Sequence, residues 1–361
     1  MGEPLRVGVI GCGAISGTYL ETLARLSAVE VTAVADLDPA RAQAVGDRFG
    51  VPSMSVDQIL LDPRVDLILN LTIPAAHADV ALAAIAAGKS VYGEKPLAST
   101  TREGRAVLDA AQAAGVRVGC APDTVLGTGI QTARKVIDDG VIGTPIAATA
   151  TFVSAGHEYW HPNPDFYYQA GGGPLLDMGP YYVTALVTLL GPVSSVIGKA
   201  SRTRPTRTIH SGPRTGEVVT VDVDTHVTGV LEHESGALST LVMSFDAAAT
   251  HASRIEVHGD LATLVAPDPN RFDGEVQLIR PSAGEWTTLP ASAGYIGSAR
   301  GYGLADLATT PAGETHRANG EIALHVLDAM ESMLRSAQEG RSVAVSTRCE
   351  RPSPVPLASL S

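Results

Sequence analysis

An alternation of apolar strands and helices over residues 5–119 limits the folds open to this chain more than any other feature. Strands that are joined by helices through short loops form a parallel sheet with right-handed crossovers. A helix start is clear at Asp38, an N-cap residue that is followed by Pro39. The predicted strands cover residues 5–10, 30–35, 66–71, 90–93 and 116–119. The sequence therefore predicts an α/β Rossmann domain, a doubly wound parallel sheet, over residues 1–122.

The remaining chain is rich in β-strand patterns. Predicted strands cover residues 144–153, 193–201, 218–232, 236–245, 254–259 and 262–266, and predicted helices cover 175–190 and 318–339. Several strands alternate apolar and polar residues, which is typical of a sheet with one open face. We expect an α+β domain over residues 123–340 with a large, open, mostly antiparallel sheet. The tail, residues 341–361, is rich in Pro and Ser and is expected to be extended.

Composition and charge exclude several classes of partner. The net charge of −12 argues against nucleic acid and anionic membrane surfaces. No apolar run reaches the length of a membrane span, and no signal peptide is evident at the N-terminus. Cys12, Cys120 and Cys349 have neither a metal-ligand spacing nor the pattern of a disulfide framework. We therefore expect a cytoplasmic protein without a metal site.

A glycine loop follows the first strand. Gly11 and Gly13 precede a helix, so that a pyrophosphate can approach the backbone at the helix N-terminus. The third glycine of the usual spacing is replaced by Ser16, and an ordinary tight turn is the alternative interpretation. Asp36, at the end of the second strand, can accept hydrogen bonds from the ribose hydroxyls, which favours NAD over NADP. Asp36 could instead cap a helix, and the nearby Arg41 could hold a 2′-phosphate.

Two further segments carry acid/base groups. Lys95 precedes a proline, which favours an extended or turn conformation, and the peptide bond between them could be cis. A solvated surface cation is the alternative for an isolated lysine. After three glycines, Asp177 and Tyr181 are four residues apart on a predicted helix and share one face. They can form an acid/base pair, or a buried hydroxyl can simply bond a carboxylate.

These patterns together resemble the glucose-fructose oxidoreductase / inositol dehydrogenase / rhizopine catabolism (Gfo/Idh/MocA) family. The motifs are the glycine loop, Thr72-x-Pro74-x-x-His77, Glu94-Lys95-Pro96 and the segment 172–179. The resemblance implies that Lys95, Asp177 and Tyr181 are catalytic. It implies cofactor contacts from Gly11, Cys12, Gly13, Ala14, Ile15, Asp36, Thr72, Pro74, His77, Glu94 and Lys95. Substrate contacts are expected from Lys95, Asp123, His157, Trp160, Asp177 and Tyr181.

The chain departs from many members of this family at two places. Tyr181 stands where many inositol dehydrogenases have histidine, which favours a pyranose or related cyclic polyol over inositol. Asp123 lies in a segment where many relatives have an Asn-Arg pair. A cluster of histidines and aromatic residues over 157–167 suits a sugar ring or a packed loop. A basic stretch containing Arg202, Arg204 and Arg207 is a solvated loop, a subunit contact or a site for an anionic substrate.

The sequence thus predicts an NAD-dependent oxidoreductase that moves a hydride between nicotinamide and a hydroxyl of a sugar or cyclic polyol. One alternative is an NAD-dependent glycoside hydrolase that acts by transient oxidation of the sugar. A second is a non-catalytic dinucleotide-binding sensor, which would not need Lys95, Asp177 or Tyr181. The family resemblance also implies a homodimer or homotetramer that pairs through the open sheet.

Overall fold

The computed structural model describes residues 3–311 and 313–360 and divides into two compact units. The first unit contains the described residues up to Gly127, the segment Tyr295–Leu324 and the described residues from Val355 onward. The second contains Thr128–Gly294 and His325–Pro354. These boundaries differ from the predicted contiguous domains 1–122 and 123–340, because two later segments pack with the first unit. The tail 341–361 is likewise divided between the units.

The first unit is built on a six-stranded sheet in which every pairing is parallel. Its strand order is β3-β2-β1-β4-β5-β6, with strands β1 (Leu5–Ile10), β2 (Val29–Ala35), β3 (Ser53–Met54), β4 (Leu67–Asn70), β5 (Ser90–Gly93) and β6 (Val118–Cys120). The connecting helices are α1 (Ser16–Leu23), α2 (Pro39–Phe49), α3 (Val56–Leu61), α4 (His77–Ala86) and α5 (Thr101–Ala114). This is the predicted doubly wound order, in which the first strand is central and the order reverses beside it.

Local signals in the sequence account for these boundaries. Asp38 accepts hydrogen bonds from the amides of Ala40 and Arg41 and so begins α2. Thr100 accepts a hydrogen bond from the Glu103 amide at 3.2 Å and begins α5. That helix ends at Gly115, which has a left-handed backbone. The central strands are apolar because helices cover both faces of the sheet.

The second unit contains a nine-stranded sheet in the order β16-β15-β14-β13-β7-β12-β11-β8-β17. The chain order is α6 (Thr128–Asp138), β7 (Pro145–Val153), α7 (Pro174–Leu190), β8 (Val193–Ser201), β9 (Thr206–Thr208), β10 (Val218–Thr220), β11 (His226–His233), β12 (Leu238–Ser244), β13 (Ile255–Gly259), β14 (Thr263–Ala266), β15 (Val276–Ile279), β16 (Thr287–Leu289), α8 (Tyr302–Thr309, in the first unit), α9 (Gly320–Glu339, with its residues up to Leu324 in the first unit) and β17 (Val343–Ala344). Strands β7 and β12 are parallel, and every other pairing is antiparallel. The predicted large, mostly antiparallel sheet is confirmed.

One predicted strand is wrong. The run 218–232 divides into β10, which pairs only with β9 in a separate two-stranded ribbon, and β11, which lies inside the large sheet. The alternating segment 219–224 suggested one continuous strand, but the chain leaves the ribbon after Thr220. Within the tail, which was predicted to be extended, Val343 and Ala344 form the short strand β17 that pairs with β8.

Two features are missing from the described residues. None of their helices is long and apolar enough to cross a membrane. Among the same residues, no group of three or more His, Cys, Asp or Glu side chains is arranged to hold a metal ion.

Candidate functional site

A cleft of about 530 Å³ lies at the carboxyl ends of the central strands of the first unit. Gly11 and Gly13 line it. Gly11 has φ +104°, and a Cβ there would lie 2.6 Å from the Leu71 carbonyl, so only glycine fits the turn. A Cβ on Gly13 would meet nothing within 4 Å, since this residue faces open space. The loop therefore leaves room for a group that approaches the backbone closely, as a dinucleotide pyrophosphate does.

Asp36 lies on the wall of this cleft and is held by the loop itself. Its Oδ2 accepts from the Cys12 amide at 2.8 Å, and its Oδ1 accepts from the Asp38 amide at 2.9 Å. The guanidinium of Arg41 is 3.7 Å from Oδ1 and is more than half exposed. Burial, and secondarily the charge of Asp36, raise the pKa of the Cys12 thiol to about 11, so this thiol is protonated at neutral pH.

The loops that follow β4 and β5 are joined by His77 and Asn70. Thr72 lines the cleft, and Asn70 accepts from its hydroxyl at 2.6 Å. The buried ring of His77 has one nitrogen 2.6 Å from the Pro96 carbonyl oxygen and the other 3.0 Å from the Thr72 carbonyl oxygen. His77 was predicted to contact the cofactor; its ring connects the two loops and is not among the residues that line the cleft. Asn70 was missed, since a buried amide at a strand end has no distinctive sequence signal.

Glu94 and Lys95 follow β5 directly. Tyr19, which is fully buried, donates its hydroxyl to Glu94 Oε1 at 2.8 Å, and the Lys95 amide donates to Oε2 at 3.0 Å. The Lys95–Pro96 peptide bond is cis, as the sequence allowed. Lys95 is half-buried. The Glu94 carboxylate thus fixes the backbone from which the Lys95 side chain extends.

Asp123 was predicted to bind substrate, and the structure gives it a different environment. The side chain is fully buried, and Oδ2 accepts from the amides of Gly301 and Gly303 at 2.8 and 3.0 Å. It therefore anchors the start of α8. Burial raises the pKa of Asp123 to about 6, although the Gly303 and Gly301 amides and the Arg300 charge oppose the shift. The sequence could not reveal these contacts, because Gly301 and Gly303 lie 178 and 180 residues after Asp123.

The second unit brings together three of the predicted site residues. Asp177 and Tyr181 lie on α7, one turn apart. His157 Nε2 is 3.2 Å from Asp177 Oδ2, and their side chains are 8% and 16% exposed. Tyr181 is buried, whereas Trp160 is 61% exposed, with its ring centroid 5.0 Å from that of His157. The pairing of His157 with Asp177 was missed, although each residue had been predicted separately.

Arg207 does not serve an anionic substrate. Its side chain is 1% exposed, and its guanidinium donates to Glu158 Oε1 at 2.9 Å and to Asp246 Oδ1. Asp246 also accepts from the Thr225 hydroxyl at 2.7 Å. Removing one partner of such a buried pair leaves an uncompensated charge, so this cluster is structural. Arg202 and Arg204 are exposed, which agrees with a solvated loop.

Comparisons with known proteins decide the family. Residues 5–121 match the sequence profile of an oxidoreductase family with an NAD-binding Rossmann fold, and residues 130–265 match that of the GFO/IDH/MocA C-terminal domain. The chain belongs to the Gfo/Idh/MocA family. It is therefore an oxidoreductase enzyme, and residues 5–121 carry the NAD-binding Rossmann fold of that family.

Relatives within the Gfo/Idh/MocA family cover most of the chain. D-xylose 1-dehydrogenase (NADP(+)) 2 of Haloferax volcanii is 27% identical over 344 residues, which are 93% of this chain and 98% of that protein. Inositol 2-dehydrogenase 3 of Saccharopolyspora erythraea is 30% identical over 275 residues, 74% of each chain. The crystal structure of an NAD binding oxidoreductase from Klebsiella pneumoniae has a TM-score of 0.83 and 26% identity, covering 96% of this chain and all of that one.

Proposed function

We propose that this enzyme is an NAD-dependent dehydrogenase of sugars or cyclic polyols. The observation that carries the proposal is the cleft beside Gly11 and Gly13. Its open glycine loop and the flanking Asp36 suit a nicotinamide adenine dinucleotide. The substrate class is supported by the names of the relatives, which are dehydrogenases of D-xylose and inositol. Tyr181 in place of histidine favours a pyranose or related ring over inositol itself.

The catalytic roles follow from the family motifs and from the chemistry of alcohol oxidation. Bound NAD supplies the acceptor for the hydride that leaves the alcohol carbon. We propose that Tyr181 takes the hydroxyl proton on its phenolic oxygen. Lys95 hydrogen-bonds the substrate oxygen through Nζ, and a positive charge there favours the phenolate over the phenol. Asp177 orients the alcohol. The protein thus binds and orients the sugar and moves one proton.

The preference for NAD over NADP rests on charge. Asp36 puts a carboxylate on the wall of the cleft, where the 2′-phosphate of NADP would be repelled. Arg41 lies beside it and weakens that repulsion, so the expected preference is smaller than for an isolated carboxylate.

A substrate screen tests this function. The enzyme is incubated with D-xylose, D-apiose, myo-inositol and levoglucosan, each with NAD and with NADP, and nicotinamide absorbance is followed. At least one sugar should be oxidised, with NAD giving the higher kcat/KM. Absence of oxidation with all four, together with chromophore release from nitrophenyl glycosides at catalytic NAD, would replace the dehydrogenase with the hydrolase.

We also propose that the enzyme is a homo-oligomer that pairs through the large sheet. On β12, residues 239, 241 and 243 are buried, whereas Leu238 is 49% exposed on the opposite face. Ile197 of β8 is 50% exposed. Such apolar side chains on a sheet face without cover in the described chain suit a second copy of the same surface.

A further inference from the structure

His157 lies in an aromatic enclosure that holds its ring in one orientation. The ring stacks on Tyr167, with centroids 3.9 Å apart, and meets Phe245 edge-on at 4.5 Å. Nε2 is 3.2 Å from Asp177 Oδ2. Nδ1 is buried and has no hydrogen-bond partner in the part of the chain that the structure describes. One ring nitrogen is therefore committed to Asp177, and the other is shielded from water.

The chemistry of this pair fixes the position of the ring proton. An ionised carboxylate can only accept hydrogen bonds, so the short contact requires the proton on Nε2. A second proton on Nδ1 would be a buried donor without an acceptor, which is unfavourable. The geometry therefore favours a ring that presents its Nε2–H to Asp177.

We infer that His157 is a positioning residue, which holds Asp177 Oδ2 and thereby sets the direction of the other carboxylate oxygen toward the sugar hydroxyl. This inference rests on the proposed function, because it assigns Asp177 the task of orienting the alcohol. Small errors in such an orientation slow a reaction strongly, since productive geometry is narrow.

A buried chain of hydrogen bonds fixes the backbone that carries His157. The His157 amide donates to the Tyr168 hydroxyl at 3.0 Å, and that hydroxyl donates in turn to Glu158 Oε2. Glu158 also accepts from Arg207, and all three of these partners are almost completely buried. The buried cluster of Arg207, Glu158 and Tyr168 therefore supports the loop that carries His157. It gives the loop a rigid base, so the ring nitrogen reaches α7 at a defined point.

Two substitutions separate hydrogen bonding from packing. His157→Phe keeps a flat ring against Tyr167 and Phe245 but has no donor, whereas His157→Gln keeps an N–H donor and loses the stacking. The substrate for this test is whichever of the four screened sugars gives the highest kcat/KM. With it, we expect His157→Phe to lower kcat by about 10²-fold with KM nearly unchanged. His157→Gln should retain at least roughly tenfold more kcat than His157→Phe, because the donor survives.

His210→Phe is the matched control. His210 is exposed and its ring stacks on Tyr159 with centroids 4.6 Å apart, whereas the His157 ring stacks on Tyr167, so the His210→Phe variant should keep the wild-type kcat. If His157→Phe equals or exceeds His157→Gln in kcat, the ring serves packing and the inference is overturned. NADH affinity, followed by protein fluorescence, should be the same in all four proteins.

A measurement without substrate decides the pairing even if no sugar in the screen is oxidised. Long-range ¹H–¹⁵N spectra of the histidine side chains report which ring nitrogen carries the proton, and His157→Gln assigns the signal. We expect His157 to carry it on Nε2, and Asp177→Ala to shift that resonance. A proton on Nδ1, or a resonance unchanged by Asp177→Ala, would refute the pairing while leaving the dehydrogenase assignment intact.

Discussion

The two glycines of the nucleotide loop should respond to alanine in opposite ways. At Gly11 the added Cβ would lie 2.6 Å from the carbonyl carbon and oxygen of Leu71 and 2.8 Å from the Thr72 nitrogen, and these are backbone atoms that cannot rotate away. The positive φ adds about 1–3 kcal/mol for a non-glycine residue. Relief of the overlap adds about 1–3 kcal/mol. Gly11→Ala should therefore lower the free energy of unfolding by roughly 2–6 kcal/mol.

At Gly13 the new methyl group enters open space, and the backbone has no positive φ. Folding stability should be unchanged or slightly higher, by up to about 1 kcal/mol, because alanine restricts the unfolded chain. The same methyl group occupies the position that the pyrophosphate needs, so the Kd for NADH should rise by at least roughly tenfold.

Calorimetric melting and NADH titration by fluorescence separate the two effects. For a unit of this size, each kcal/mol corresponds to about 2–4 °C in the melting temperature. Gly11→Ala should melt well below wild type, and Gly13→Ala should melt like wild type but bind NADH poorly. A Gly11→Ala protein with the wild-type melting temperature would refute the close-approach argument. If Gly13→Ala binds NADH with the wild-type affinity, the pyrophosphate does not bind at this loop.

Five other substitutions test the remaining assignments. Lys95→Ala should lower kcat by several orders of magnitude, and Tyr181→Phe by about 10²–10⁴-fold, with NADH affinity retained; a Tyr181→Phe rate within about threefold of wild type would move the proton transfer elsewhere. Asp36→Ala should narrow the ratio of kcat/KM between NAD and NADP, and an unchanged ratio would contradict its role. Burial raises the pKa of Asp123 from 3.8 to about 6, so the folded chain binds more protons between those values and this carboxyl lowers stability as pH rises through them. The free energy of unfolding of Asp123→Asn, minus that of wild type, should therefore increase by up to about 3 kcal/mol from about pH 4 to pH 7, as measured by melting at each pH. A difference that does not change with pH would show that this carboxyl does not titrate in that range. Ile197→Glu should lower the mass found by light scattering, and a wild-type monomer at micromolar concentration would exclude the sheet interface.

The fold could be predicted where the sequence signal is local. Signals that depend only on neighbouring residues predicted the first strand, its glycine loop and the helix after it. The same holds for the Asp38 cap and the apolar run of β4. The division of residues 218–232 could not be predicted, because the choice between a ribbon and the large sheet depends on which distant strand is available. The return of Tyr295–Leu324 to the first unit is equally non-local.

The site shows the same limit. The helical spacing of Asp177 and Tyr181 could be read directly, since four residues make one turn of α7. The contact between His157 and Asp177 spans a loop of 3₁₀ turns and glycines whose path has no regular period. Arg207 illustrates the opposite error. A basic stretch in an acidic chain suggested an anion site, and only the burial of Glu158 and Asp246 beside it reveals an internal ion cluster.

The return of the chain to the first unit has a consequence for its synthesis. Domains commonly fold as they leave the ribosome, the N-terminal one first. Here the Cys120 amide of the edge strand β6 donates to the Ala318 carbonyl oxygen at 3.0 Å. This hydrogen bond cannot form until Ala318 has been synthesised. The donors to Asp123 Oδ2 come from Gly301 and Gly303. The first unit to emerge is thus among the last to be completed, and a nascent chain that stops before Gly301 holds a carboxylate without the donors that its burial requires.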